Sequence, residues 1–234
     1  MEINYKHIKV IGFDADDTLW VNETYFREAE MEFGKLLSEY ETLNKLDQEL
    51  FKKEIDNLPM YGYGVKAFVL SMVESALEQS NYSVSQKAIG AILDIGKNML
   101  NKPVELLDGV EEVLKTLSKK YRLILATKGD LLDQERKLEK SGLTEYFHHI
   151  EVLSDKKEAN YSKLLNHLEI KPSEFLMIGN SLKSDVLPLV NIKAHAIHVP
   201  FHTTWAHEQV SKKETNGKQY KAIKSLTDVL KLLK

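Results

Sequence analysis

The stretch KVIGFDADDTLW, residues 9–20, decides how the rest of the chain is read. An apolar run, Val10, Ile11 and Phe13, ends abruptly at Asp14, and Asp16 and Asp17 follow at once. A short continuous apolar run predicts a strand buried on both faces, as in a parallel sheet. Three carboxylates at the mouth of such a strand are costly unless opposite charge faces them. Alternation along extended backbone points Asp14 and Asp16 to one side, toward a shared target. Asp17 reads instead as a turn or helix-capping residue.

Working outward, strands are predicted at 8–14, 121–127, 149–153, 175–179 and 195–199. From the second onward they alternate with helical patterns over 109–119, 130–141, 158–167 and 185–191, with a terminal helix at 227–233. That rhythm predicts a parallel α/β sheet covered on both faces. The interval from the first strand to the second is far longer than the dozen or so residues a crossover needs. It carries helical stripes: Phe26, Ala29, Phe33, Leu36, Leu37, Tyr40; then Val65, Phe68, Val69, Met72, Val73, Ala76, Leu77; then Ile89, Ile92, Leu93, Met99. Pro59, the glycines of YGYG and Pro103 punctuate it. Residues 19–101 therefore read as a helical insertion on an α/β core formed by 1–18 and 102–234. The basic stretch VSKKETNGKQYK, residues 210–221, reads as a surface loop.

In an open parallel sheet, ligands bind beyond the carboxyl ends of the strands. The polar residues expected there are Asp14 and Asp16, then Thr127 and Lys128, then Lys156 and Lys157, and finally Asn180 with Asp185 five positions on. This set suits phosphoryl transfer to a carboxylate. One carboxylate attacks phosphorus, and a second acid protonates the leaving alkoxide and then activates water. A hydroxyl and a lysine hold the phosphoryl oxygens and offset charge. Mg²⁺ on hard oxygen ligands cancels the repulsion between two anions.

The order D-x-D-x-T, Thr, Lys, G-N-x-x-x-x-D resembles the haloacid dehalogenase superfamily across nearly the whole chain. The resemblance implies a Rossmann-like core with the insertion placed as a C1 helical cap. It implies Asp14 as nucleophile and Asp16 as general acid/base, whose backbone carbonyl also reaches Mg²⁺. It assigns Thr127, Lys128 and Lys156 to substrate, and Asp14, Asp16, Asn180 and Asp185 to the metal. The spacing from Lys156 to Tyr161 and Leu164 is similar to members in which the first of two such lysines is catalytic, which favours Lys156 over Lys157. Members of this superfamily that remove halide usually lack an acid two residues after the nucleophile; Asp16 favours phosphate-monoester hydrolysis. Asn180 stands where the phosphatases most often carry Asp, which leaves open whether Asn180 or Asp185 is the direct ligand.

Composition sets the remaining bounds. The chain has 234 residues, no cysteine and a formal net charge of −3, which gives no electrostatic case for nucleic acid or an anionic membrane. Disulfides and thiolate metal sites are excluded, and no apolar run approaches the ~20 residues of a membrane span. A cytoplasmic protein, monomeric or homodimeric, acting on a small phosphorylated metabolite of nucleotide, phosphoglycolate or sugar phosphate type is expected. The rivals are a dehalogenase or phosphotransferase on the same aspartate, and a binding protein with a degraded metal site. HAIHVPFHTTWAHE, residues 195–208, holds four histidines, but His195 and His198 fall on opposite strand faces and His202 and His207 fit no common zinc spacing. It reads as a last strand and a loop, with Trp205 partly packed. Trp20, Tyr61 and Tyr63 are the expected substrate contacts from the insertion.

Overall fold

A computed structural model describes residues 5–233 and divides the chain into two compact units. One takes the chain up to Glu23, with Val104–Lys128 and everything from Gln134 onward; the other is Thr24–Pro103 with Gly129–Asp133. Among the described residues, no helix is long and apolar enough to cross a membrane.

The first unit is a six-stranded sheet. In chain order its strands are β1 (Val10–Phe13), β2 (Arg122–Lys128), β3 (His149–Leu153), β4 (Phe175–Gly179), β5 (His195–His198) and β6 (Lys221–Ala222). They lie in the order β3-β2-β1-β4-β5-β6, and every pairing is parallel. The order reverses beside β1, the position at which doubly wound sheets open a crevice for ligands. Side-chain alternation explains the two cores. Ile11, Phe13, Leu123, Leu125, Leu176, Ile178 and Ile197 pack on one face, and Val10, Ile124, Ala126, Phe175, Met177 and Ala196 on the other. Gly12 has no side chain because a Cβ there would meet the Phe175 ring at 2.7 Å.

The second unit is built mainly from four helices, α1 (Glu23–Leu36), α2 (Leu43–Tyr61), α3 (Val65–Gln79) and α4 (Gln86–Asn101), around Phe33, Leu37, Leu46, Leu50, Phe68, Met72 and Ile92. Elsewhere run α5 (Val110–Leu117), α6 (Leu131–Ser141), α7 (Glu158–His167), α8 (Leu187–Asn191), α9 (Lys212–Thr215) and α10 (Val229–Leu232). The expected stripes fall on α1, α3 and α4, except that Leu37 and Tyr40 lie just past the end of α1 and Leu93 is exposed.

Three expectations are corrected. Pro59 does not end its helix: it lies in the last turn of α2, where the missing N–H forfeits one bond, and Gly62 at φ 72° closes the helix. Residues 210–221 are not simply loop, since they hold α9 and the start of β6, a two-residue exposed edge strand too short and polar to leave a pattern. The helix expected over 185–191 is split: Leu182–Val186 forms a π-turn before α8, with Pro188 in the first turn of α8.

Candidate active site

The described site lies within the sheet unit, at the carboxyl ends of β1, β2 and β4 and in the loops that follow β3 and β5. Asp14 continues the β1 ladder, its N–H donating to Ile178 O at 2.9 Å. The chain then turns: the amides of Thr18, Leu19 and Trp20 all aim at Ala15 O. Asp17 sits at φ 60° and accepts from the amides of Asn22 and Glu23, capping the start of α1. Burial pushes its carboxyl up to about 8 against those two donors.

Lys156 is the centre of the site. It is 3 % exposed, and its Nζ donates to Asp14 Oδ1 at 2.5 Å and to Asp185 Oδ1 at 2.7 Å. Lys157, by contrast, lies in solvent and pairs with Asp155. The second oxygen of each carboxylate is held as well: Asp14 Oδ2 accepts from Thr18 Oγ1 at 3.1 Å, and Asp185 Oδ2 from the Ser181 amide at 3.0 Å. Thr18 Oγ1 also accepts from the Asn180 amide and lies 3.4 Å from Asn180 Oδ1, which ties β1 to the end of β4. Two buried carboxylates face one ammonium. Burial, and next the charge of Asp185, push Asp14 up to about 7 despite Lys156. Burial lowers Lys156, but Asp14 and Asp185 more than offset it and hold the ammonium well above its ordinary value.

Asp16 has a separate set of donors. Its Oδ1 accepts from Trp20 Nε1 at 2.8 Å and Lys137 Nζ at 2.9 Å, and its Oδ2 from Gln134 Nε2 at 2.8 Å. Burial raises this carboxyl, but the Lys137 charge and the three hydrogen bonds prevail and keep it below the usual range. Asp14 and Asp16 feel each other's charge, yet each has its own cation. Trp20 is corrected from a substrate contact to a buried donor, 1 % exposed, because its indole N–H is spent on Asp16. Tyr61 donates to Glu74 Oε1 at 2.6 Å inside the helical unit.

Thr127 is buried at the end of β2, its Oγ1 donating to Lys128 O. Lys128 aims its ammonium at Ser184 Oγ, 3.0 Å, and Glu208 Oε1, 2.6 Å. Glu208 also receives the hydroxyls of Ser181 and Ser184, the latter at 2.6 Å. Burial would raise Glu208, but Lys128 and these donors hold it down at about 2. His198 meets Asn180 O at 2.9 Å and His202 meets Thr203, so neither joins the acidic cluster. Gln134, Lys137 and Glu208 were not legible as site residues. Gln134 and Lys137 stand three apart on α6, a spacing shared by any solvated helix face.

Among the described residues, no three His, Cys, Asp or Glu side chains converge as a metal site.

A family model for haloacid dehalogenase-like hydrolases matches residues 8–192. The N-acylneuraminate-9-phosphatase of Mus musculus is 24% identical over 190 residues, covering 76% of this chain and 77% of its own. A haloacid dehalogenase-like family hydrolase from Xanthomonas campestris superposes with a TM-score of 0.85 at 35% identity, over 97% of this chain and 92% of that one. A magnesium-bound HAD-hydrolase from Bacillus subtilis gives 0.66 at 16% identity, over 97% and 99%, a likeness of fold.

Proposed function

We propose that this chain, which belongs to the haloacid dehalogenase-like hydrolase family, is a Mg²⁺-dependent phosphatase of small phosphomonoesters that works through an aspartyl-phosphate at Asp14. One observation carries the reading: Lys156 bridges Asp14 and Asp185, while Asp16, two residues from Asp14, is oriented by donors of its own. The phosphatase of M. musculus supports the reaction class.

In this reading Asp14 attacks phosphorus, and the ester oxygen leaves in line. Asp16 must first take up a proton to give to that oxygen; as the carboxylate its donors favour, it then takes one from the water that cleaves the acyl phosphate. Lys156 keeps the nucleophile oriented and offsets charge as the anionic phosphoryl group arrives. Thr127 donates to a phosphoryl oxygen. The helical unit, read as a cap, recognises the organic part of the substrate.

The donor set fits the metal. It is all oxygen, and two carboxylates outnumber the one lysine between them, which leaves negative charge for a hard divalent cation. Asp14, Asp185, Asn180 Oδ1 and the Asp16 carbonyl would hold it. When bound, Mg²⁺ neutralises charge shared by the nucleophile and the phosphoryl group.

The test is phosphate release with Mg²⁺ from p-nitrophenyl phosphate and a panel of nucleotide, phosphoglycolate, sugar phosphate and N-acylneuraminate 9-phosphate esters. Metal-dependent turnover is expected. Halide release from a 2-haloacid without phosphate release makes the protein a dehalogenase, and silence across the panel refutes the enzyme reading.

A further inference from the structure

We propose that Glu208 is a positioning residue, which bolts the Asp185-bearing turn after β4 to Lys128 at the end of β2. The proposal rests on the phosphatase reading above. It also changes what the HAIHVPFHTTWAHE stretch contributes: its working residue is the closing glutamate, not any of its histidines.

The geometry is a closed set of hydrogen bonds. Glu208 comes from the loop beyond β5, on the short turn Ala206–Glu208. Its Oε1 accepts a hydrogen bond from Lys128 Nζ, and its Oε2 accepts from both serine hydroxyls, Ser181 Oγ and Ser184 Oγ. Each serine oxygen is in turn used as an acceptor, Ser181 Oγ by the Ser184 amide at 3.0 Å and Ser184 Oγ by Lys128 Nζ at 3.0 Å. From the opposite side Tyr161 donates its hydroxyl to Ser184 O at 3.0 Å. Ser184 and Asp185 belong to the π-turn, in which the Leu187 amide reaches back five residues to Leu182 O.

The consequence reaches the acidic cluster through two contacts. Asp185 N donates to Ser181 O at 2.8 Å and Asp185 Oδ2 accepts from Ser181 N at 3.0 Å, so a fixed Ser181 fixes the Asp185 carboxylate. Gly179 leaves that carboxylate its space, since a Cβ there would lie 2.3 Å from Asp185 Oδ2. Glu208 also matches the charge of Lys128, a half-buried pair with side chains 15 % and 12 % exposed. Lys128 is thereby a strut joining the ends of β2 and β4, and its role is to hold the turn more than to bind phosphate. Outer residues that orient ligands in this way are typically worth about 10–100-fold in metal affinity or activity.

The experiment compares wild type with Glu208→Gln, which keeps shape and loses charge, and Glu208→Asp, which keeps charge and shortens reach. Two readouts are taken: Mg²⁺-dependent p-nitrophenyl phosphate hydrolysis, and thermal stabilisation by Mg²⁺ alone. For Glu208→Gln, kcat is expected to fall about 10–100-fold, KM to change less than about threefold, and half-maximal stabilisation to need roughly tenfold more Mg²⁺. Glu208→Asp is expected to recover part of both. Lys128→Met added to Glu208→Gln is expected to cost little more than either change alone, because the two residues act as one strut. Wild-type kcat and Mg²⁺ response in Glu208→Gln, or full additivity with Lys128→Met, overturns the proposal. Should Glu208→Gln be unfolded at the assay temperature, Ser184→Ala removes one strand of the network without moving charge, and wild-type behaviour there overturns it equally. A wild type that is stabilised by Mg²⁺ but inert defeats the phosphatase reading and leaves Glu208 to be judged by stabilisation; one that shows neither defeats both.

Discussion

Replacing Lys156 by Met is the sharpest test of the buried cluster. Lys156 is 3 % exposed, and its ammonium stands between the carboxylates of Asp14 and Asp185, residues 7 % and 1 % exposed. Breaking a buried ion pair by removing one partner costs about 3–5 kcal/mol, because the charge left behind has lost both water and counter-charge. Here two carboxylates lose their cation, but each keeps a second donor, Thr18 Oγ1 for Asp14 and the Ser181 amide for Asp185, and Asp14, already up at about 7 beside Lys156, can relieve its charge by taking up a proton. The lower end is therefore expected, about 3 kcal/mol, roughly a hundredfold in the folding equilibrium. Urea unfolding in EDTA at pH 8, followed by tryptophan fluorescence, measures it. Both tryptophans, Trp20 and Trp205, lie in the sheet unit, so the signal reports on the unit that holds the cluster. Adding Asp185→Asn removes one of the stranded charges while keeping an acceptor for the Ser181 amide, and should restore at least half of the loss. A single variant within about 0.5 kcal/mol of wild type, or a double variant no more stable than the single, refutes the reasoning.

Three further outcomes are expected. Asp14→Asn should lower phosphate release by at least about a thousandfold with unchanged circular dichroism, and retained turnover removes Asp14 as nucleophile. Gly179→Ala pushes a Cβ into Asp185 and should lower kcat and Mg²⁺ stabilisation by roughly tenfold or more; wild-type values in both would show that Asp185 placement is not limiting. Glu208→Gln should lose about 3 kcal/mol at pH 7, the worth of a carboxyl held at about 2 against an ordinary 4.5. A depressed folded pKa stabilises above the unfolded value and loses that effect as pH falls through the folded one. The gap from wild type should therefore close between about pH 4.5 and pH 2, and urea midpoints showing a constant gap over that range contradict the assignment.

Much of the architecture was legible in one dimension because its causes are local. Continuous apolar runs marked five of the six strands, and 3.6-residue stripes marked α1, α3 and α4, since burial on a strand or helix face repeats with a short period. The strand ends were legible for the same reason: the residue after each run must lie at the sheet's carboxyl edge. Thus Asp14, Thr127, Lys156, Asn180 and Asp185 all stand at or just past positions that the strand pattern marks. Where the local signal was weak the reading slipped, at the exposed pair Lys221–Ala222, at Pro59 in a final turn, and at the π-turn after Ser181.

By itself, then, the sequence marked five strands, the helical stripes between the first two and which residues stand at the mouth of each strand. Only the tertiary structure decided who faces whom. It gave Asp16 a lysine 121 positions away and Lys128 a glutamate 80 positions away, turned the Trp20 indole inward, and chose Lys156 over its neighbour for the buried place between Asp14 and Asp185. The reason is physical. A periodic pattern records whether a side chain is buried, but a buried charge is stabilised by whichever opposite charge the folded chain brings within about 3 Å, and distance along the chain does not record that.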